Sequence, residues 1–227
     1  MNKRYILFSL ACLSLLISSC KKDSVIAPDP SYRNYFSDKV GSYIIYQCDS
    51  IIYDDFNQTV DTNSFLIKEY FESTFIDNSG RSAIRIERWK KPADTLSWFL
   101  KDVWQCVKTD AQVEKVEEDV RFIKMVFPVR ESIEWNGNAL NSLTAQTLTF
   151  SEVHKPFTTG TLDFDSTITV VNTDPENLVS ELRTTEVFAA NVGMVFKKYV
   201  DVKYVVPTSN IKSGVVFTMK AIEIGVQ

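Results

Sequence analysis

The sequence predicts a mainly β fold: a single domain built on one strongly curved antiparallel sheet, half-barrel or barrel-like in form. Three observations carry that expectation. Aromatic residues make up 12% of the 227 residues, and valine, isoleucine and threonine are abundant, a composition suited to half-buried pleated surfaces. Segments with a two-residue period recur along the chain, separated by polar turn clusters. Several of them exceed the usual length of about five or six residues and are apolar on both faces, and long strands of that kind coil as their twist accumulates.

The first 35 residues follow another logic. Lys3 and Arg4 precede an apolar run over 6–17 that only Ser9 and Ser14 interrupt, and Ser18 and Ser19 then lead into Cys20. A basic start, a short apolar stretch and small residues describe a secretory signal peptide over 1–19. The run is too short to span a membrane as a helix, which needs about 20 residues. Cys12, inside it, reads as a small apolar filler.

Ile17-Ser18-Ser19-Cys20 resembles a bacterial lipobox. The resemblance implies that Cys20 is the lipid attachment site, acylated on its thiol, freed by cleavage and then acylated on its amine with palmitate-like chains. Each buried methylene contributes about 0.8 kcal/mol, so two or three chains hold the protein at a bilayer. Lys21, where an aspartate would favour the inner membrane, implies by likeness to lipoprotein sorting an outer-membrane location. Lys21-Lys22-Asp23 partly resembles the export tag of surface lipoproteins in Bacteroidota. From Ser24 to Tyr35, with Pro28 and Pro30, the chain reads as an extended spacer. The expected organisation is a lipidated tether over 20–35 and a β-rich globular domain over 36–227.

Strands are expected in order over 42–56, 62–74, 82–90, 97–108, 112–118 and 120–127. In the third, Ile84, Ile86 and Arg88 alternate with Ala83, Arg85, Glu87 and Trp89. Asp77-Asn78-Ser79-Gly80 is a turn by composition. Asn136-Gly137 after Trp135 is a tight-turn pair of the hairpin kind. Further strands follow over 144–153, 162–171, 180–190, 193–206 and 214–225. Pro175-Glu176-Asn177-Leu178, behind Asp174 as N-cap, reads as a short helical turn.

Charge excludes one class of partner. Without residues 1–19 the chain holds 23 basic and 29 acidic residues, a net charge of −6 with no basic face, so nucleic acid has no electrostatic footprint here. Cys48 and Cys106 remain, either as a disulfide or as two separate buried thiols.

Catalytic signals are weak. His154 is the only histidine, no Gly-x-Ser-x-Gly elbow supplies a nucleophile, and a strand-end histidine before Lys155-Pro156 reads as a surface residue. One histidine and two separated cysteines give no zinc spacing. Asp163 with Asp165, and Asp54 with Asp55, are the best carboxylate pairs, yet neither follows a calcium-loop pattern. Glu117-Glu118-Asp119 reads as a solvated acidic turn. Trp89, Trp98, Phe99, Trp104 and Trp135 serve either core packing or an aromatic pocket for an apolar or carbohydrate ligand.

Two places resemble small, mostly uncharacterised lipoproteins of Bacteroidota. Tyr35-Phe36-Ser37-Asp38-Lys39-Val40-Gly41-Ser42-Tyr43-Ile44-Ile45-Tyr46 is similar to their Tyr-Phe-Pro-Leu-x-x-Gly-x-x-Trp-x-Tyr opening. Ala190-Asn191-Val192-Gly193-Met194-Val195 looks like their Gly-x-Gly-Leu-Val strand start, with Asn191 at a left-handed backbone position that asparagine tolerates. These motifs are structural and imply no catalytic, cofactor or metal residue. The expected function is a membrane-anchored cell-envelope lipoprotein, a non-enzymatic binding or structural module for an envelope protein, glycan or lipid. A glycan-directed envelope hydrolase with an unrecognised carboxylate site is the alternative.

Overall fold

The computed structural model describes residues 30–93, 95–172 and 177–227. Cys20, the signal peptide, the first part of the tether and most of the helical turn expected over 174–178 lie outside the described residues. A 3-10 turn at Pro30–Arg33 leads into twelve strands. The first six are β1 (Ser42–Asp54), β2 (Thr59–Ile76), β3 (Ser82–Lys91), β4 (Phe99–Lys108), β5 (Gln112–Glu117) and β6 (Val120–Val126). Then come β7 (Glu134–Asn136), β8 (Thr147–Thr158), β9 (Asp163–Asn172), β10 (Ser180–Ala189), β11 (Gly193–Tyr204) and β12 (Ile211–Val226).

All twelve form one antiparallel sheet in the order β6-β5-β4-β3-β2-β1-β12-β11-β10-β9-β8-β7, nearly closed into a barrel. β1 and β12 pair along most of their length, so the start of β1 lies beside the end of β12. The seam falls between β6 and β7. There the Ile123 N–H donates to the Gly137 carbonyl at 2.9 Å, and Trp135 Nε1 donates to the Ile123 carbonyl at 3.0 Å. Asn141 adds a side-chain bond to the Arg121 carbonyl at 2.8 Å.

An up-and-down order puts alternate connections at opposite ends of the barrel. The N-terminal segment covers one of them. Tyr35 and Phe36 are buried at 2% and 5% exposure among Phe71, Ile86, Val113, Met125, Phe150 and Phe188. Arg33 bonds Asp110 and the Thr109 carbonyl, Lys108 reaches the Phe36 carbonyl, and the Asn191 N–H donates to the Asn34 carbonyl. Residues 32–35, read from sequence as the end of a free spacer, are therefore packed as a plug, because two large aromatic rings gain more from burial than an extended chain gains from freedom.

Two local expectations change. β8 continues past 153 to Thr158, with register shifts at Ser151, His154 and Pro156, so the proline occupies a bulge that needs no ladder donor. Asn136-Gly137 does not close a two-residue hairpin; Asn136 Oδ1 accepts from the Asn138 and Gln146 N–H groups and fixes a ten-residue connection at the seam. Gly137 has no positive φ there, and a Cβ on it would lie 2.8 Å from Leu148. Asn191, in contrast, adopts the expected left-handed backbone with φ 63°.

Candidate functional site

Away from the plug, the same strands turn charged side chains inward. Glu69 on β2, Arg88 on β3 and Asp102 on β4 are direct cross-strand neighbours. Arg88 Nε donates to Glu69 at 3.0 Å and its Nη1 to Asp102 at 2.9 Å. Lys115 Nζ lies 3.2 Å from Glu69 and 3.6 Å from Glu117. Lys124 joins Glu117, at 3.7 Å, to Glu186, at 2.7 Å. Lys197, paired across strands with Glu186, lies 3.0 Å from it. The chain of contacts links seven strands through four cations and four carboxylates.

Buried ions persist only where each has a partner, because desolvation costs several kcal/mol per ion. Burial works against the charged form of Glu117 and of Glu186. Lys124 and Lys115 overcome it at Glu117, and Lys124 and Lys197 at Glu186, so both carboxyls lie below the usual carboxylate range. Burial likewise opposes the Lys197 ammonium, and Glu186 and Glu117 outweigh it, so the amine lies above its ordinary value.

A cavity of about 310 Å³ lies against this network. Glu69, Arg88, Trp104, Lys115 and Glu117 form one wall, from β2 to β5, and Met194, Lys197, Tyr199, Phe217 and Met219 form the other, from β11 and β12. It shares Glu117, Lys197 and Tyr199 with the lining of a second cavity of about 600 Å³ that reaches the β7–β8 connection at Leu143 and Gln146. The Trp104 ring carries the Arg88 guanidinium 3.6 Å from its centroid and the Lys115 ammonium at 4.6 Å. Its Nε1 is buried without a hydrogen-bond partner. β4 pairs with β5 only over Gln105–Lys108, so the strands part beyond Gln105 and an outer cleft of about 480 Å³ also reaches Trp104.

The residues singled out in the sequence do not converge. His154 sits exposed on a bulge with φ 58°; its Nδ1 shares a hydrogen bond with the Tyr35 hydroxyl, which also meets Ser166 Oγ at 2.7 Å. This contact belongs to the plug. Asp163 and Asp165 share one face of β9, as expected, and both are exposed. Asp54 closes the β1–β2 turn, where the Asn57 N–H and side chain hold its carboxyl below the usual range, and Asp55 is exposed beside it.

Cys48 and Cys106 are two separate free thiols at 0% and 2% exposure, each pushed up to about 12 by burial. Among the tryptophans, Trp135 is core, its ring tilted against that of Phe150 with centroids 4.7 Å apart. Trp89 and Trp98 line an outer cleft with Tyr43 and Tyr70, where Lys68 lies 4.4 Å over the Tyr43 ring. Phe99 is exposed.

Sequence reasoning missed Glu69, Lys115, Lys124, Glu186 and Lys197, and it read Glu117 as part of a solvated turn. The corrected reading is that Glu117 faces Lys115 and Lys124, while Glu118 and Asp119 form the turn with positive φ. One signal was present: Arg88 shares the two-residue period of the buried Ile84 and Ile86.

No protein-family model and no curated protein matches the chain. Among solved structures, a protein from Parabacteroides distasonis described as a "putative lipoprotein" superposes with a TM-score of 0.47 at 8% identity, over 84% of this chain and 98% of that one.

Proposed function

We propose that this protein is a lipid-anchored lipoprotein of the cell envelope, held at the outer membrane through Cys20, whose barrel is a non-enzymatic binding module. The observation that carries the reading is the position of the cavity. The described chain starts at the plugged end and the cavity lies toward the other, an arrangement that supports a module anchored ahead of the plug with its cavity on the side away from the anchor. Its ionisable groups are paired with one another, as befits recognition rather than proton transfer, since a general base needs reach to a substrate proton.

Two measurements test this. Cys20→Ala should release the protein from membranes or leave the precursor uncleaved, and an unmodified Cys20 in the membrane fraction would contradict the anchor. A small-molecule extract of the envelope should raise the melting temperature of the mature chain but not that of Met219→Trp, which fills the cavity. An extract without effect on either protein would contradict the binding module.

A further inference from the structure

We propose that the cavity at the charged end is selective for a small organic anion with an apolar body, such as an aliphatic carboxylate. Its head would sit by Lys197 and Trp104 Nε1, and its body on Met194, Phe217 and Met219. The inference rests on the binding-module reading and narrows it to one ligand class.

The charges of the walls are unequal. Arg88, Lys115 and Lys197 line the cavity against two carboxylates, Glu69 and Glu117, while Asp102 and Glu186, which balance Arg88 and Lys197, stand outside the lining. Among the lining ions, Arg88, Lys115, Glu69 and Glu117 each have two ion-pair partners, and Lys197 has one. Glu69 is held by Arg88 and Lys115, and Glu117 by Lys115 and Lys124, so neither offers spare charge to a ligand cation. Lys197 has its ion pair with Glu186, and an ammonium carries three donors.

Trp104 supplies an independent observation. An indole N–H only donates, and that of Trp104, whose ring lines the cavity, is buried without a partner. A ligand oxygen brought within its reach would satisfy it; an ammonium would not. The opposite wall, with Met194, Phe217 and Met219, offers soft apolar surface to the rest of the molecule.

The test uses the mature chain carrying Cys20→Ser, which keeps it free of acyl groups, and titrates octanoate, octanol and octyltrimethylammonium by calorimetry. Octanoate should bind saturably and about tenfold or more tightly than either analogue, a difference of about 1.4 kcal/mol per decade. Lys197→Gln should bring octanoate to the level of octanol. Trp104→Phe, which keeps a ring and removes the N–H, should weaken octanoate more than octanol and so covers the case in which Lys197→Gln folds poorly. Equal binding of octanol or of the ammonium would overturn anion selectivity, and inorganic phosphate binding as tightly as octanoate would overturn the apolar half of the site. If no probe binds while envelope extract still stabilises the wild type and not Met219→Trp, this ligand class fails and the binding module stands. If the extract fails too, both fail.

Discussion

Along β3 the inward side chains run Ile84, Ile86, Arg88, and along β5 they run Val113, Lys115, Glu117. Each strand is apolar toward the plugged end of the barrel and charged toward the other. The plugged half, with Tyr35, Phe36, Met125, Phe150 and Ile168 near zero exposure, is an ordinary hydrophobic core whose burial is favourable residue by residue. The charged half is favourable only as a complete set, since every ion taken from water needs its partner in place. The contrast teaches a division of labour: one end of the lumen holds the fold together, and the other keeps a polar-walled space within it.

The difference between the halves can be broken most severely at Arg88. Arg88→Met leaves Glu69 and Asp102 without their guanidinium, and urea unfolding should report a loss of about 3–5 kcal/mol, as for a buried pair stripped of one partner. A loss below about 1 kcal/mol would place the cluster in solvent. One position toward the plug, Ile86→Ala should cost about 2–5 kcal/mol through the cavity it leaves.

Acid separates the halves more gently. Glu117 and Glu186 have carboxyls depressed in the folded state, so their contribution is present above the unfolded carboxylate pKa of about 4.3 and is lost as pH falls through the folded values. Stability should therefore fall between about pH 5 and about pH 2, and Glu186→Gln should fall less steeply over that window. A slope unchanged by Glu186→Gln would mean that other carboxylates carry the effect.

The smallest effect is expected at the plug. His154→Ala removes one hydrogen bond from the Tyr35 hydroxyl, which keeps Ser166, so the loss should be about 0.5–1.5 kcal/mol. Octanoate affinity should not change, because the contact lies away from the cavity. Loss of binding with an intact melt would implicate His154 in the site and revive the hydrolase reading.

The fold was legible in the sequence because alternation and turn composition are local properties. The period of Ile84, Ile86 and Arg88 and the left-handed position of Asn191 can be read over a few residues, and both hold in the structure. The β7–β8 connection was not legible, since Asn136 is fixed by Gln146 and the neighbouring Gly137 carbonyl receives the Ile123 N–H of an edge strand. The site was hidden for the same reason. Glu69 and Lys115 are 46 residues apart and Lys124 and Glu186 are 62, so each charge looks solvated until sheet order brings its partner across. Arg88 alone betrayed the arrangement, a cation that follows the buried Ile84 and Ile86 on the same face of β3.

The central claim is that the charges of this half face one another inside the barrel rather than water. It is tested most directly by a double-mutant cycle on Glu186→Gln and Lys197→Met, read by urea unfolding at low and high salt. The account predicts a coupling above about 1 kcal/mol that persists at an ionic strength of about 1 M, because a buried pair is little screened. A coupling of only a few tenths of a kcal/mol, about that of an exposed pair, or one that salt abolishes, would contradict it.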